Sequence, residues 1–221
     1  VHRMKSLQAI AHGSDMVCYF QLRKGRGASE KFHGAVIDHS ENPDARMFKE
    51  ISELSKDLKK LEGVVGCHTP AKVAIMFDWN SRWALDASAG PTEHCKGYFA
   101  LVKKHYEYFW QNGIPVDMVG PESDLSKYTL VITPTLYMVS EALSQRFKDF
   151  VAAGGTLVGT YLTGVVNETD LVHMGGLPGA MKDLYGIWAE EIDYLYAGEK
   201  SKLVANGSNK FKGDFELANV C

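Results

Sequence analysis

Short apolar runs alternate with longer amphipathic segments along residues 72–160. The runs have the length of strands, and the amphipathic segments carry apolar residues at helical spacing. Strands are predicted at Lys72–Phe77, Ile114–Val119, Leu130–Thr133 and Thr156–Thr160, and helices at Tyr98–Asn112 and Ser140–Ala153. Strands that alternate with helices are joined by right-handed crossovers, and the result is an open parallel sheet with helices on both faces. The sequence therefore predicts an α/β fold.

The first 65 residues show a separate pattern of one strand and one helix. The unbroken apolar run Met16–Phe20 is typical of a parallel strand that is buried on both faces. A polar, glycine-rich loop covers residues 23–40, and Pro43 then marks the first turn of a helix. The apolar face of that helix is predicted to comprise Met47, Ile51, Leu54, Leu58 and Leu61. A domain boundary is expected within residues 64–70.

Each end of the chain falls within a segment that has the character of regular secondary structure or of a core. Residues 1–13 have the character of the last turns of a helix that Gly13 closes, and residues 215–221 stop inside an apolar segment. These two features predict a piece of a longer polypeptide.

Composition excludes several classes of protein. The hydrophobic fraction of 45% is that of a globular chain. The 24 Lys and Arg residues against 27 Asp and Glu residues give a net charge of -3, which favours neither nucleic acid nor an anionic membrane. No apolar run reaches the roughly 18 residues that a membrane span requires. The four cysteines form no CxxC pair, so we expect reduced thiols in a cytoplasmic protein, no metal site and no cofactor.

The turn after the run Leu130–Thr133 is the position at which a nucleophile would be expected in a fold of this type. In glutamine-amidotransferase-like folds a reactive cysteine occupies a sharp strand-to-helix turn of this kind. This turn offers Thr135 and Tyr137 instead. The glycine-rich segment Gly175–Gly179 lacks the spacing of a phosphate-binding loop. The sequence therefore predicts neither thiol-dependent group transfer nor nucleotide binding.

Two segments carry side chains that are suited to binding. Glu30 and His33 stand three residues apart in the polar loop, so one helical turn would point them the same way. A carboxylate beside an imidazole can hold neighbouring sugar hydroxyls, although a solvated charged loop is the alternative. The stretch Asp78–Trp83 places two indoles after a strand. These indoles are consistent with either a subunit contact or a ligand platform.

Ordered motifs along most of the chain resemble one enzyme family. Ala9–Asp15, Tyr19–Gln21 and Glu30–Ala35 resemble the last strand and loop of the barrel in bacterial β-galactosidases of glycoside hydrolase family 42, and Asp78–Leu85 resembles the start of that family's trimerisation domain. Further segments continue the resemblance in order: Gly113–Asp117, Asp124–Tyr128, Leu130–Tyr137, Ala153–Thr156 and Val172–Gly179. Residues beyond about 200 match least. Two places depart from the family pattern. Leu22 stands where the family usually has an aromatic residue, and Asn80–Arg82 replace a segment that is more acidic and aromatic in the family.

The resemblance implies a function and a division into domains. Residues 1–65 would be the last βα unit of a (β/α)8 barrel, and residues 66–221 a trimerisation domain with a flavodoxin-like or glutamine-amidotransferase-like sheet. The family hydrolyses terminal β-D-galactosides with retention, using two carboxylates about 5 Å apart. Both belong to earlier barrel strands, so we assign no catalytic residue here and expect the chain alone to be inactive. Glu30 and His33 match the family positions that bind galactose hydroxyls in the −1 subsite.

The implied partners are a β-galactoside substrate and further copies of the chain, since the resemblance implies that the parent protein is a trimer. Two other hypotheses remain open: a stand-alone oligomerisation or interaction module, and a flavodoxin-like protein that binds a small ligand without catalysis. An unpaired strand at Met16–Phe20 and an exposed apolar face on the following helix would both favour association. We therefore expect the chain not to be a stable monomer.

Overall fold

The computed structural model describes residues 1–89, 97–192, 200–204 and 214–218. The chain divides into two compact units, Val1–Pro70 and Ala71–Cys221. Within the described ranges, no helix combines the length and the apolar character that crossing a bilayer requires.

The first unit begins with helix α1, His2–Ala11. The helix ends in a Schellman motif, in which the N–H of Gly13 donates to Ile10 O and the N–H of Ser14 donates to Ala9 O, both at 3.0 Å. Gly13 has a φ of 94°, a left-handed conformation that costs a residue without a side chain little. The predicted glycine stop is confirmed.

The predicted strand Met16–Phe20 is wrong. These residues form no strand, and Met16 and Phe20 are exposed. The first bridge to another segment comes later and joins Arg23 to Ile37. A strand is stabilised by backbone hydrogen bonds to a neighbouring strand, and unit 1 contains no neighbour for residues 16–20. The apolar run alone could not reveal that lack.

Helix α2 spans Arg46–Lys59, so it begins later than the predicted start at Pro43. The side-chain oxygen of Asn42 accepts a hydrogen bond from the N–H of Asp44 at 2.9 Å, which holds this segment in a turn before the helix. The expectation of an exposed apolar face is wrong at its centre, because α1 packs against α2 and Leu54 is only 1% exposed. Arg3 of α1 also forms an ion pair with Asp57 of α2.

The second unit is built on a parallel sheet of four strands. They are β1 Val73–Met76, β2 Val116–Val119, β3 Leu130–Thr133 and β4 Thr156–Gly159, in the order β2-β1-β3-β4. In this sheet Ile75 of β1 pairs with Met118 on one side and Ile132 on the other. All four predicted strands are confirmed in position. Ile114 and Pro115 fall outside β2, and a proline lacks the N–H that a ladder needs.

Helices α3 Trp79–Ala87, α4 Tyr98–Gln111, α5 Glu141–Ala152 and the short α6 Lys182–Tyr185 accompany the sheet. The predictions of α4 and α5 are confirmed, and Ser140 caps α5 by accepting a hydrogen bond from the N–H of Leu143 at 3.1 Å. The sequence analysis predicted no helix at residues 79–83, where the structure has the first turns of α3. Asp78 begins a helix there, because its carboxylate accepts hydrogen bonds from the N–H groups of Asn80 and Ser81 at 3.2 and 2.8 Å.

Helices cover both faces of the sheet, as the alternation predicts. Alternate residues of β1 point to opposite faces. Ala74 and Met76 belong to a core cluster with Phe147 of α5, whereas Val73 and Ile75 belong to a second cluster that includes residues of α3 and α4. Unit 2 therefore has an α/β fold in which the sheet carries a hydrophobic core on each face.

Two further strands lie near the end of the chain. Strands β5 Lys200–Val204 and β6 Asp214–Ala218 pair antiparallel, with Lys202 opposite Glu216. The sequence analysis did not predict this hairpin. The last part of the apolar segment noted at residues 215–221 lies outside the described residues.

Candidate functional site

The polar loop of unit 1 is closed at its base by backbone hydrogen bonds. The N–H of Val36 donates to Gln21 O at 3.0 Å, and the N–H of Ile37 donates to Leu22 O at 2.8 Å. The N–H of Lys24 returns a third bond to Ile37 O at 3.0 Å. Residues 25–35 therefore project from a fixed base.

Charged side chains strengthen that base. The ammonium of Lys24 lies 3.2 Å from the carboxylate of Asp38, which also accepts a hydrogen bond from the N–H of His39 at 2.6 Å. The bond from His39, followed by the one from Lys24, lowers the pKa of Asp38. The ring of His39 reaches back to Gly25 O at 2.8 Å, and Arg23 pairs with Glu41.

The structure brings Glu30 and His33 together at the end of this loop. A 3-10 turn at Ser29–Phe32 places the N–H of His33 on Glu30 O at 3.0 Å. The Glu30 Oε1 atom lies 3.8 Å from His33 Nδ1, and the two side chains are 52% and 60% exposed. This separation is too long for a hydrogen bond. Both groups therefore keep their hydrogen-bonding capacity for a ligand.

The sequence analysis missed Phe20 as a member of this cluster. Its ring meets the ring of His33 edge to face, with centroids 6.0 Å apart and planes at 85°, and Phe20 is largely exposed. The side-chain nitrogen of the next residue, Gln21, is buried and has no hydrogen-bond partner among the described residues. The available signal was the position of Phe20 at the end of the apolar run. An open aromatic ring beside a carboxylate and an imidazole can contact both the apolar face and the hydroxyls of a sugar.

The carboxyl end of the sheet in unit 2 is filled rather than open. The N–H of Asp78, which follows β1, donates to the Tyr98 hydroxyl at 2.8 Å, and the N–H of Met138 donates to Ser81 Oγ at 3.0 Å. Burial raises the pKa of Tyr98 to about 12. In doubly wound sheets a ligand occupies the crevice at this edge, and here Ser81 is fully buried in it.

Thr135 occupies the turn in which a reactive cysteine was sought. It has a φ of 45° and is fully buried. Its N–H donates to Thr160 Oγ1 at 2.7 Å, and its own hydroxyl lies 3.3 Å from the same atom. The hydroxyl of Thr135 is therefore part of the core packing and does not face a substrate.

Metal-binding side chains do not converge within the described part of the chain, where no three His, Cys, Asp or Glu residues could hold an ion. Cys18 and Cys67 are free and exposed, and Cys95 and Cys221 lie outside the described residues. A shallow depression of about 550 Å³ is lined by Lys182, Asp183, Gly186, Ile187 and Trp188. It is wide open to solvent and does not enclose a ligand.

Comparison with known families decides what the chain is. Residues 71–218 match the family model described as a β-galactosidase trimerisation domain, and residues 1–61 match the family model described as β-galactosidase. The chain belongs to the glycoside hydrolase family 42 β-galactosidases. The resemblance of its motifs to that family is thereby confirmed.

The curated relatives of this family 42 chain are longer than the chain itself. It is 44% identical to β-galactosidase Pbg of Clostridium perfringens over 223 aligned positions, which cover 100% of this chain and 32% of that protein. It is 46% identical to β-galactosidase GanA of Bacillus subtilis over 198 positions, covering 90% of this chain and 30% of that protein. The chain therefore spans about a third of the length of these curated relatives.

Solved structures of family 42 enzymes agree with the same assignment. The β-galactosidase from Bacillus circulans sp. alkalophilus matches with a TM-score of 0.90 and 43% identity, covering 100% of this chain and 33% of the other. The β-galactosidase from Rahnella sp. R3 matches with a TM-score of 0.88 and 46% identity, again over 100% of this chain and 33% of the other.

Proposed function

We propose that this chain is the segment of a retaining β-galactosidase that supplies galactose-binding side chains and the oligomerisation domain. In this proposal residues 1–65 are the last βα unit of the catalytic barrel, and residues 66–221 are the trimerisation domain. The observation that carries the proposal is the open cluster of Phe20, Glu30 and His33 in a family 42 chain. That the 221-residue chain hydrolyses no galactoside by itself stays a prediction, as does a cytoplasmic location.

Glu30 and His33 would act by binding the sugar rather than by bond cleavage. The carboxylate of Glu30 can accept hydrogen bonds from two neighbouring hydroxyls, and the imidazole of His33 can bind a third polar atom beside it. Contacts with the hydroxyls of a glycoside strengthen as the ring distorts towards its oxocarbenium-like transition state. Such contacts lower the barrier, but the chemistry still requires the two carboxylates of the parent enzyme.

The sheet of unit 2 supports a flavodoxin-like arrangement. Its order β2-β1-β3-β4 agrees with the first four positions of the doubly wound 2-1-3-4-5 order. Because Ser81 and Met138 fill the edge between β1 and β3, we favour an assembly role for this unit over small-ligand binding. The proposed partners are a β-galactoside and two further copies of the parent chain.

Kinetics of the full-length enzyme test the proposal. Glu30→Ala or His33→Ala should each lower kcat/KM by about 1.5–3 kcal/mol of transition-state stabilisation, which is the magnitude of losing a hydrogen bond to a charged group. Turnover of a nitrophenyl β-galactoside is the measurement. Glu53→Ala is the matched control, because Glu53 is an exposed carboxylate on α2, outside the loop and its base. Unchanged kinetics in a folded Glu30→Ala, His33→Ala double variant would reject the proposed site.

A further inference from the structure

Helix α3 and the residue that precedes its cap form an aromatic surface patch, the α3 aromatic patch, which we define as Phe77, Trp79, Arg82 and Trp83. Trp79 and Trp83 are 53% and 60% exposed. They stand four residues apart, so they occupy the same side of the helix. Because Asp78 begins α3 immediately after β1, the patch lies at the carboxyl edge of the sheet.

Ring contacts hold the α3 aromatic patch in place. The centroids of Phe77 and Trp79 are 5.0 Å apart at 78°, and those of Trp79 and Trp83 are 5.8 Å apart at 35°. Phe77 also contacts the ring of the buried Tyr98, at 5.3 Å. The exposed indoles are thereby connected to the core, and little side-chain entropy is left to lose when a partner binds.

The charged member of the patch is fixed as well. The guanidinium carbon of Arg82 lies 5.2 Å from the centroid of Trp79, within the range of a cation–π interaction. Its Nε atom lies 3.7 Å from the carboxylate of Asp86, one turn further along α3. Tryptophan and arginine are the residue types that contribute most binding energy at protein interfaces. The patch therefore has the composition and the rigidity of an interface centre.

We infer that the α3 aromatic patch is a surface through which copies of this chain associate, and that it contacts a different surface of the neighbouring copy. The inference deepens the proposed function and rests on the trimer proposed there. The matched trimerisation-domain model covers residues 71–218 and so includes the whole patch. In a closed ring of three subunits each interface joins two different surfaces, unlike the self-complementary interface of a two-fold dimer.

The chemistry of the patch favours a protein partner over a sugar. A sugar site needs hydrogen-bonding groups that converge beside an aromatic face. The two carboxylates beside the patch are already engaged. Asp78 accepts hydrogen bonds from two backbone N–H groups of α3, and Asp86 lies 3.7 Å from Arg82. Arg82 itself lies over the ring of Trp79. The patch offers aromatic and cationic surface with few free acceptors, which suits an apolar and acidic protein surface.

Trp83→Glu in the 221-residue chain tests the inference. Trp83 is 60% exposed and packs against the ring of Trp79 on the helix surface, so the variant should fold. Sedimentation velocity should show a wild-type trimer and a variant whose association is weaker by at least about 30-fold, the loss expected for a central tryptophan. Trp83→Phe should retain most of the assembly. The matched control is Trp110→Glu on α4, another exposed tryptophan, at 57%.

The outcomes separate this inference from the proposed function. A monomeric wild type would reject the proposed trimer and the patch with it. A trimeric wild type with a trimeric Trp83→Glu variant, or equal weakening by Trp110→Glu, would reject the patch alone. Quenching of tryptophan fluorescence by galactose, with no loss of assembly in the variant, would assign the patch to sugar binding instead.

A mixing experiment tests whether the two surfaces are different. Tagged Trp83→Glu chain is incubated with an excess of untagged wild-type chain and then captured through its tag. The variant still has the surface that receives the patch of a neighbour. The patch of a wild-type copy should therefore bind the variant, and the wild-type chain should be recovered. If no wild-type chain is recovered, the patch contacts its own equivalent on the neighbour, and the inference of two different surfaces is wrong.

Discussion

The two compact units bury their apolar side chains to very different degrees. In Val1–Pro70 the one fully buried apolar side chain is that of Leu54, and large apolar side chains such as Met16 and Phe32 are exposed. In unit 2 the sheet carries a cluster of buried residues on each face. Hydrophobic burial is the main favourable contribution to folding, so unit 2 has the stronger basis for independent stability.

This difference matters for the proposed galactose-binding residues. Glu30 and His33 stand on a loop whose base is fixed by backbone hydrogen bonds and by the Lys24–Asp38 pair, not by a surrounding core. Binding residues are commonly carried by loops on a rigid scaffold. Within unit 1 the scaffold consists of the contact between α1 and α2 together with this base. We therefore expect the site to be the less stable part of the chain.

The largest expected effect comes from a cavity in the core of unit 2. Phe147 is fully buried between α5 and the sheet, so Phe147→Ala should lower the free energy of unfolding by about 3–5 kcal/mol. All four tryptophans, Trp79, Trp83, Trp110 and Trp188, belong to unit 2. Urea unfolding followed by tryptophan fluorescence therefore reports this unit.

Leu54→Ala is the matched core substitution in unit 1. Because Leu54 belongs to the other compact unit, the same fluorescence transition should keep its midpoint in this variant. A midpoint that shifts as far in Leu54→Ala as in Phe147→Ala would mean that the two units unfold together. Unit 2 would then have no stability independent of unit 1.

A smaller effect is expected at the start of α3. Asp78→Ala removes the acceptor for the N–H groups of Asn80 and Ser81, and loss of an N-cap costs about 0.5–2 kcal/mol. Asp78→Asn keeps one side-chain oxygen and should lose less. The urea midpoint of the unit 2 transition is the measurement. If Asp78→Ala and Asp78→Asn unfold alike at the wild-type midpoint, the cap does not stabilise α3.

Local signals explain which elements of the fold were predictable. The four strands of the sheet coincide with apolar runs, and α5 begins after the capping residue Ser140. Both signals lie within a few consecutive residues of the sequence. Helix α3 was missed because Asn80, Ser81 and Arg82 interrupt its apolar pattern, although Asp78 was an available capping signal. The strand at Met16–Phe20 was wrong because a strand also depends on a neighbour that no local window contains.

The same distinction applies to the candidate site. The proximity of Glu30 and His33 follows from a spacing of three residues, which a single 3-10 turn satisfies. The contact of Phe20 with His33 depends on the return of the chain at Val36, where the backbone pairs with Gln21. Such a closure links residues that are distant in sequence. No spacing rule could have predicted it.

The smallest expected effect concerns the pH dependence of the contact between α1 and α2. The hydrogen bond from Arg3, and then that from Lys60, lowers the pKa of the half-buried carboxyl of Asp57. A carboxyl whose pKa is lower in the folded state stabilises that state above the unfolded value of about 3.9, and this contribution is lost as the pH falls through the folded value. Amide hydrogen exchange in α1 should therefore become less protected below about pH 4.

Substitution of Asp57 isolates this contribution. Asp57→Asn removes the ionisable group, so α1 should show reduced protection already at pH 6 and a weaker further change on acidification. Glu53→Gln is the matched control, since Glu53 is an exposed carboxylate on the same helix. Protection of β1 in unit 2 serves as the internal reference, because its residues are buried and carry no charge. Equal protection of α1 at pH 6 in Asp57→Asn and wild type would show that the ion pair with Arg3 does not hold α1 against α2.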